Sequence, residues 1–355
     1  MASIAEAGPM VARDRGRDRA LVRGWLYLVA LMIVAIVVVG GTTRLTHSGL
    51  SITEWQPVHG VIPPMNAAEW QDEFARYQQI PEYQQLNRGM TLDQFKGIFW
   101  WEWGHRLLAR LIGAVVFIPL VFFWVTGRLE SRLKPRLVAI FLLGGLQGAV
   151  GWWMVASGLE VRTDVSQYRL ATHLTLACII LAYVLWVARS LAPSWRPASA
   201  GARVVAGLLV AMAFVQIFLG GLVAGLDAGF TFNTWPLMNG SLVPAGLMDQ
   251  MPWWRNLFEN VATVQFDHRL GAYVLFLAAW LHAWQARSPG AWLIAGLVSA
   301  QAALGIATLV NVVPLPLALL HQLGAVVVLS AIVVHRRAML PPLPARRCRP
   351  EARAS

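Results

Sequence analysis

The sequence predicts an all-α integral membrane protein with eight transmembrane helices, arranged as two pseudo-symmetric four-helix bundles. Three observations carry this prediction: long runs nearly free of charge, basic residues gathered on one side of those runs, and a set of landmarks written twice. Of the 355 residues, 57% are hydrophobic and 13% charged, where a soluble domain carries about 25% charged residues. A helix needs about 20 apolar residues to cross the hydrocarbon core of a bilayer. Runs this long and this continuously apolar satisfy their backbone groups as helices.

In chain order, residues 1–23 form a basic tail that is polar and does not read as a cleaved signal. Residues 24–190 form a first four-helix unit with spans near 24–42, 106–126, 137–156 and 170–190 and a long loop over 43–104. Residues 191–203 are a linker. Residues 204–335 form a second unit with spans near 204–225, 270–286, 291–311 and 316–335, the sixth span being the shortest. A second basic tail covers 336–355.

The net charge is +11, and its placement is a topology signal. Arg13, Arg15, Arg17, Arg19 and Arg23 precede the first span; Arg128, Arg132, Lys134 and Arg136 lie between spans two and three. Arg189, Arg196 and Arg203 flank the linker, and Arg336, Arg337, Arg346, Arg347, Arg349 and Arg353 follow the last span. With eight spans these segments share one side. The 43–104 loop holds Arg44, Arg76, Arg88 and Lys96 against seven acidic residues. The positive-inside rule places both termini in the cytoplasm and the long loop outside. This distribution argues against a nucleic-acid surface. The two cysteines, Cys178 within span four and Cys348 in the tail, predict neither a disulfide nor a cysteine metal site.

The duplication is visible residue by residue. Gly40, Gly41, Gly49 and Trp55 match Gly220, Gly221, Gly229 and Trp235 at a constant offset of 180. His105-Arg106-Leu107 opens span two as His268-Arg269-Leu270 opens span six. Gln147 and Gly151 match Gln301 and Gly305, and His173 matches His321. Both halves have an even number of spans, so the repeats run parallel in the membrane.

Of the eight histidines, His105, His173, His268 and His321 each stand at the start of an even-numbered span and so at one depth, near the outer face. His47 and His59 are in the outer loop. His282 and His335 are at inner ends, without counterparts in the first half. Imidazole rings within a bundle mark function. Neutral imidazole is a good axial ligand for haem iron, which accepts two from facing helices. One pair per half, His105 with His173 and His268 with His321, predicts two haem sites. Zinc fits the repeat poorly, because Glu102 as an added ligand exists in the first half alone. Arg106 and Arg269 follow the histidines and are candidate partners for haem propionates; snorkelling to lipid headgroups is the alternative.

Glu102 breaks the symmetry, with Gln265 in its place in the second half. It lies three residues before His105, so a helix that begins early puts both on one side. A carboxylate in one half alone predicts different jobs: one haem a substrate beside an acid–base group, the other an electron carrier. A non-enzymatic di-haem electron carrier would also use two bis-histidine pairs, but such carriers stack their haems toward opposite faces. A transporter would show broken spans with polar groups at mid-membrane. Here the mid-span polar residues are Gln147, Gln216 and Gln301, better suited to interhelical hydrogen bonds.

Several longer stretches resemble the heme A synthase family in its proteobacterial and mitochondrial branch. They are Gly40-Gly41-Thr42-Thr43-Arg44-Leu45-Thr46, Ser48-Gly49-Leu50-Ser51, Trp55 with Pro57, Pro81-Glu82-Tyr83, and Phe95-Lys96 leading to Trp101-Glu102 and His105-Arg106. In the second half they are Asp267-His268-Arg269, Leu304-Gly305-Ile306-Ala307-Thr308-Leu309, and His321-Gln322. The resemblance runs from about residue 25 to 335. Ala109 stands where glycine is expected before Arg110, a local change in helix packing. The loop cysteines of another branch are missing, which excludes a thiol step there.

The resemblance implies oxidation of the C8 methyl group of heme O to a formyl group, giving heme A for terminal oxidases. It implies that electrons leave through a resident heme b to an unidentified acceptor. His268 and His321 would bind heme b, His105 and His173 the substrate haem, and Glu102 would act as the acid–base or cation-stabilising group. It further implies a multi-pass place in the cell inner membrane. Heme O synthase and oxidase assembly factors are the implied protein partners.

Overall fold

The computed structural model describes residues 7–55 and 59–343, with side chains over 15–55 and 60–343. Pro57, Arg346, Arg347, Cys348, Arg349 and Arg353, and the side chains of Arg13 and His59, lie outside the described residues. The described chain is helical throughout, apart from loops and one isolated bridge between Met238 and Ser241.

The first half comprises α1 (Ala7–Leu45), two short loop helices α2 (Ala67–Tyr77) and α3 (Pro81–Gln85), then α4 (Leu92–Val125), α5 (Lys134–Ala156) and α6 (Gln167–Ser190). The second comprises α7 (Ala200–Gly225), the single turn α8 (Asn256–Glu259), α9 (Val261–Ala286), α10 (Pro289–Val310) and α11 (Leu315–Ala338). Seven helices are long and apolar enough to cross a membrane: α1 over Arg15–Leu45, α4, α5, α6, α7, α10 and α11. The chain is therefore a multi-pass, all-α membrane protein. α9 is 26 residues long but is not among the seven, because Asp267, His268, Arg269 and His282 lower its hydropathy.

Two helices begin earlier than the apolar runs that announce them. α1 starts at Ala7, inside the segment read as a tail. α4 starts at Leu92, far ahead of the apolar run at 106, because Thr91 and Gln94 form a capping box. The first turns of α4 pack against the loop: Phe95 and Phe99 are buried with Phe74 and Tyr77 of α2. Asn260, Ser288 and Ser199 cap α9, α10 and α7 with side-chain oxygens.

The helix contacts follow the repeat. α1 touches α4, α4 touches α5, α5 touches α6 and α6 touches α1. The same cycle joins α7, α9, α10 and α11. Across the halves α6 meets α7 and α11, and α1 meets α11. α6 is the most enclosed helix, with Val184, Val187 and Ala188 fully buried. Glycines let it meet α7 closely: a Cβ on Gly221 would lie 2.8 Å from Ala171 Cα, and one on Gly225 2.6 Å from Gln167 Cα. Large apolar side chains such as Leu31, Ile118, Leu142, Leu208 and Leu293 face outward, as a lipid-facing surface requires.

Candidate functional site

The four repeat-related histidines lie toward the N-terminal ends of α4, α6, α9 and α11, the end that carries the long loops. Each ring rests against a glycine of the neighbouring helix. A Cβ on Gly40 of α1 would stand 3.2 Å from His105 Nε2, and one on Gly151 of α5 2.9 Å from His173 Cε1. In the second half, a Cβ on Gly220 of α7 would stand 3.2 Å from His268 Cε1, and one on Gly305 of α10 2.7 Å from His321 Cε1. Any larger residue would fill the space the ring occupies. His105 interacts electrostatically with His173, and His268 with His321. Within each half the two rings thus lie close enough to feel one another.

The glutamines hold the rings. Gln216 Nε2 donates to the His268 carbonyl at 2.9 Å and lies 3.0 Å from His268 Nδ1. Gln301 Nε2 donates to the His321 carbonyl at 2.8 Å and lies 3.0 Å from its Nδ1. Gln147 makes the corresponding bond to the His173 carbonyl at 3.1 Å, 3.2 Å from Nδ1. Among the described residues His105 has no such partner, and Ile36 occupies the place of Gln216 at the same offset of 180. The expected interhelical bonds of these glutamines thus end on the histidines themselves.

Glu102 is buried, and both of its oxygens are engaged. Oε2 accepts from Ser51 Oγ at 2.7 Å and from the Ile52 amide at 2.8 Å. Oε1 accepts from Arg106 Nε at 3.1 Å and Nη2 at 2.6 Å. Arg106 also donates to the carbonyls of Ile52 at 2.7 Å and Glu54 at 3.0 Å. The second half repeats this anchor. Arg269 donates to the carbonyls of Phe232 at 2.8 Å and Thr234 at 3.0 Å, and to Gln265 Oε1 at 3.1 Å. Ile52 and Glu54 match Phe232 and Thr234 at the offset of the glycines, so the duplication reaches into the loops.

The exchange of Glu102 for Gln265 comes with an exchange of partners. A carboxylate only accepts, and it meets a hydroxyl and an amide. Gln265 instead donates from Nε2 to the Ala228 carbonyl at 2.7 Å. The arginines read as propionate partners thus also tie loop carbonyls to the helix. Arg269 keeps its buried Nε without a hydrogen-bond partner among the described residues, and Arg106 lines a cavity of about 310 Å³ together with Trp103 and Arg110.

The remaining membrane histidines form a different structure. His282 of α9 and His335 of α11 bond each other directly, Nε2 to Nε2 at 3.0 Å, with His282 fully buried. Glu82, a residue of a motif whose role the sequence leaves open, is also buried. Nothing in its local pattern distinguishes it from the exposed loop acids.

Glycine-backed neutral imidazoles in facing pairs suit a planar iron porphyrin held by two axial nitrogens. Among the described residues no three His, Cys, Asp or Glu side chains cluster as a metal site. Two imidazoles per half are a donor set of the kind that haem iron takes.

A family model described as cytochrome oxidase assembly protein, COX15-CtaA, matches residues 23–333. The chain is 61% identical over 339 residues to a protein of Chelativorans sp. (strain BNC1) named Heme A synthase, covering 93% of this chain and 94% of that one. It is 58% identical over 347 residues to a protein of the same name from Mesorhizobium japonicum, covering 95% and 96%. It is 58% identical over 331 residues to another from Brucella ovis, covering 91% and 92%.

Proposed function

The chain belongs to the cytochrome oxidase assembly protein family COX15-CtaA, and from that premise we propose how its two halves share the work of a heme A synthase. The enzyme converts heme O to heme A, an oxidation that serves terminal oxidases. Its substrate is a haem, and it works in a membrane.

In this reading His105 and His173 hold the substrate haem, and His268 and His321 hold a resident heme b. α9 is the eighth span, both termini are cytoplasmic, and the membrane is the cell inner membrane. Residues 24–190 and 204–335 are then two bundles around two sites. The observation that carries the reading is the pairing itself: four histidines, each backed by a glycine, in two pairs of which one alone has a buried carboxylate beside it.

Bound heme b supplies a one-electron carrier. The protein's own groups do the rest. Gly220 and Gly305 admit the ring planes, and Gln216 and Gln301 fix the rotation of His268 and His321. Arg269 and Arg106 are the proposed cationic partners of the propionates on the two sides, each beside its histidine. Oxidation of methyl to formyl with water as the oxygen source releases four protons and four electrons; the electrons would leave to the unidentified acceptor, and Glu102 takes a proton at Oε1 or Oε2. Arg106, Ser51 and the Ile52 amide hold that carboxylate in place and stabilise its charge. Heme O synthase is a fitting neighbour because it makes the substrate, and oxidase assembly factors because they receive the product. The test is haem extraction from the purified protein, read by pyridine hemochrome spectra and chromatography. Heme B together with heme O, a hydroxylated intermediate or heme A supports the reading; heme B alone at two per chain, unchanged when heme O is supplied, overturns it.

A further inference from the structure

Among the described residues two carboxylates are buried, Glu102 and Glu82, and both belong to the first half. Glu102 has its partners. Glu82, at the start of α3, is 3% exposed, and its Oε2 has no hydrogen-bond partner. A buried polar atom without a partner costs about 1–3 kcal/mol, and a buried carboxylate costs more unless it is protonated or paired. The loop is otherwise well built around it: Tyr77 is fully buried, stacks on Phe95 and Tyr83, and accepts from Asn87 at 2.7 Å. A residue this costly in so ordered a setting calls for a use.

Its position supplies one. A single apolar cluster joins Tyr77, Ile80 and Tyr83, which flank Glu82, to three other segments. Leu50 adjoins Ser51, the partner of Glu102; Phe99 lies one turn before Glu102; Val165 adjoins Asp164. The groups that act on Glu82 are Asp164, Glu102, Tyr77 and Arg44. Asp164 stands at the protein rim with a third of its side chain exposed, 3.9 Å from Arg44. Glu82 thus belongs to a group of three acids whose segments meet at this cluster, Glu102 beside the substrate histidines and Asp164 reaching solvent, and it feels the charge of both.

We propose that Glu82 is a proton-relay residue that carries the protons of substrate oxidation from Glu102 to Asp164 at the outer rim. This rests on the reading of Glu102 given above. In each cycle Glu82 gives its proton to Asp164 and takes a replacement from Glu102. One O–H bond forms as another breaks, and the electrons follow the separate route through the second half. Burial first, then the charges of Asp164 and Glu102, push the Glu82 carboxyl up to about 8, against the pull of Tyr77 and Arg44. A carrier that holds its proton at neutral pH and releases it slightly above is matched to the task. The second half, with Gln265 in place of Glu102 and no buried acid, has no comparable route.

The test uses the full-length, haem-loaded protein as wild type, Glu82→Gln, Glu82→Asp and Asp164→Asn. Haem content, the infrared carbonyl band of a protonated carboxyl, and single-turnover oxidation of heme O across pH are measured. The expected result is that Glu82→Gln keeps both haems, loses a carbonyl band present in wild type at pH 7, slows turnover at least tenfold and loses the pH dependence near 8. Glu82→Asp restores most of the rate, and Asp164→Asn, which leaves the buried cluster intact, slows turnover too. Wild-type turnover in both Glu82→Gln and Asp164→Asn overturns the relay, as does loss of substrate haem in Glu82→Gln and Glu82→Asp alike, which assigns Glu82 to packing. Glu102→Gln is run in parallel: if it keeps wild-type turnover, the underlying site reading has failed and the relay falls with it.

Discussion

The two halves share one mechanical plan and differ where chemistry would be done. Both back every histidine with a glycine, both anchor the loop after the first helix through an arginine to two carbonyls, and both close the same cycle of helix contacts. In the second half both rings are held by glutamines and the arginine of the anchor meets an uncharged amide. In the first, His105 lacks the glutamine, the anchor carries a carboxylate, and a second buried acid lies behind it. The lesson is that a duplicated scaffold is specialised by a few polar exchanges, not by refolding. Under the proposed division of roles, two rings held by glutamines suit a resident group, and a ring without that bond beside a carboxylate suits a haem that reacts and leaves.

The comparison is broken most severely by removing a ligand. His268→Ala and His321→Ala are each expected to abolish heme B in the purified protein and turnover with it, while the helical circular dichroism stays. Next comes the exchange that distinguishes the halves. Glu102→Gln is expected to lower turnover about 10²–10⁴-fold, the usual range for an acid–base group, with heme B content unchanged in the hemochrome spectrum. The reverse exchange, Gln265→Glu, turns a carboxylate toward the Ala228 carbonyl that Gln265 now bonds. It should cost about 1–3 kcal/mol in thermal unfolding without creating a second reacting site.

A smaller effect sharpens the glycine argument. Gly305→Ala places a Cβ 2.7 Å from His321 Cε1 and Gly220→Ala one 3.2 Å from His268 Cε1. Heme B retention under detergent challenge should fall more for Gly305→Ala than for Gly220→Ala. The last effect concerns pH. Glu82 keeps its proton in the folded loop up to about 8, whereas an unfolded glutamate loses it near about 4.3. Between those values the folded state binds more protons, so stability declines as pH rises, by at most about 1.4 kcal/mol per pH unit, and levels off above 8. Melting curves of the solubilised protein should show that decline in wild type and a flatter profile in Glu82→Gln.

The long apolar helices and the repeat of the histidines were legible because both are regular in the sequence: apolar runs have a length, and repeats have an offset. Gly40 and Gly220 were visible as landmarks, yet their use as backs for His105 and His268 depends on which helices touch, and no spacing states that. Arg106 and Arg269 read as propionate partners because an interfacial arginine beside a ligand suits that role; their bonds to loop carbonyls depend on the path of a loop with no periodicity. α4 could be expected to begin early enough to align Glu102 with His105, and the Thr91–Gln94 cap is the reason it does. Glu82 was one acid among seven in its loop. It stands beside a cluster that joins Tyr77, Phe95 and Val165, which come from three separate segments.

The central claim is that the two histidine pairs hold different haems. The direct measurement is the haem complement of four single variants, His105→Ala, His173→Ala, His268→Ala and His321→Ala, extracted and separated by chromatography. The account predicts that the first two keep heme B and lose heme O and heme A, and that the last two lose heme B. Loss of both haems in equal proportion from every variant, or heme B lost through His105 or His173, would contradict it.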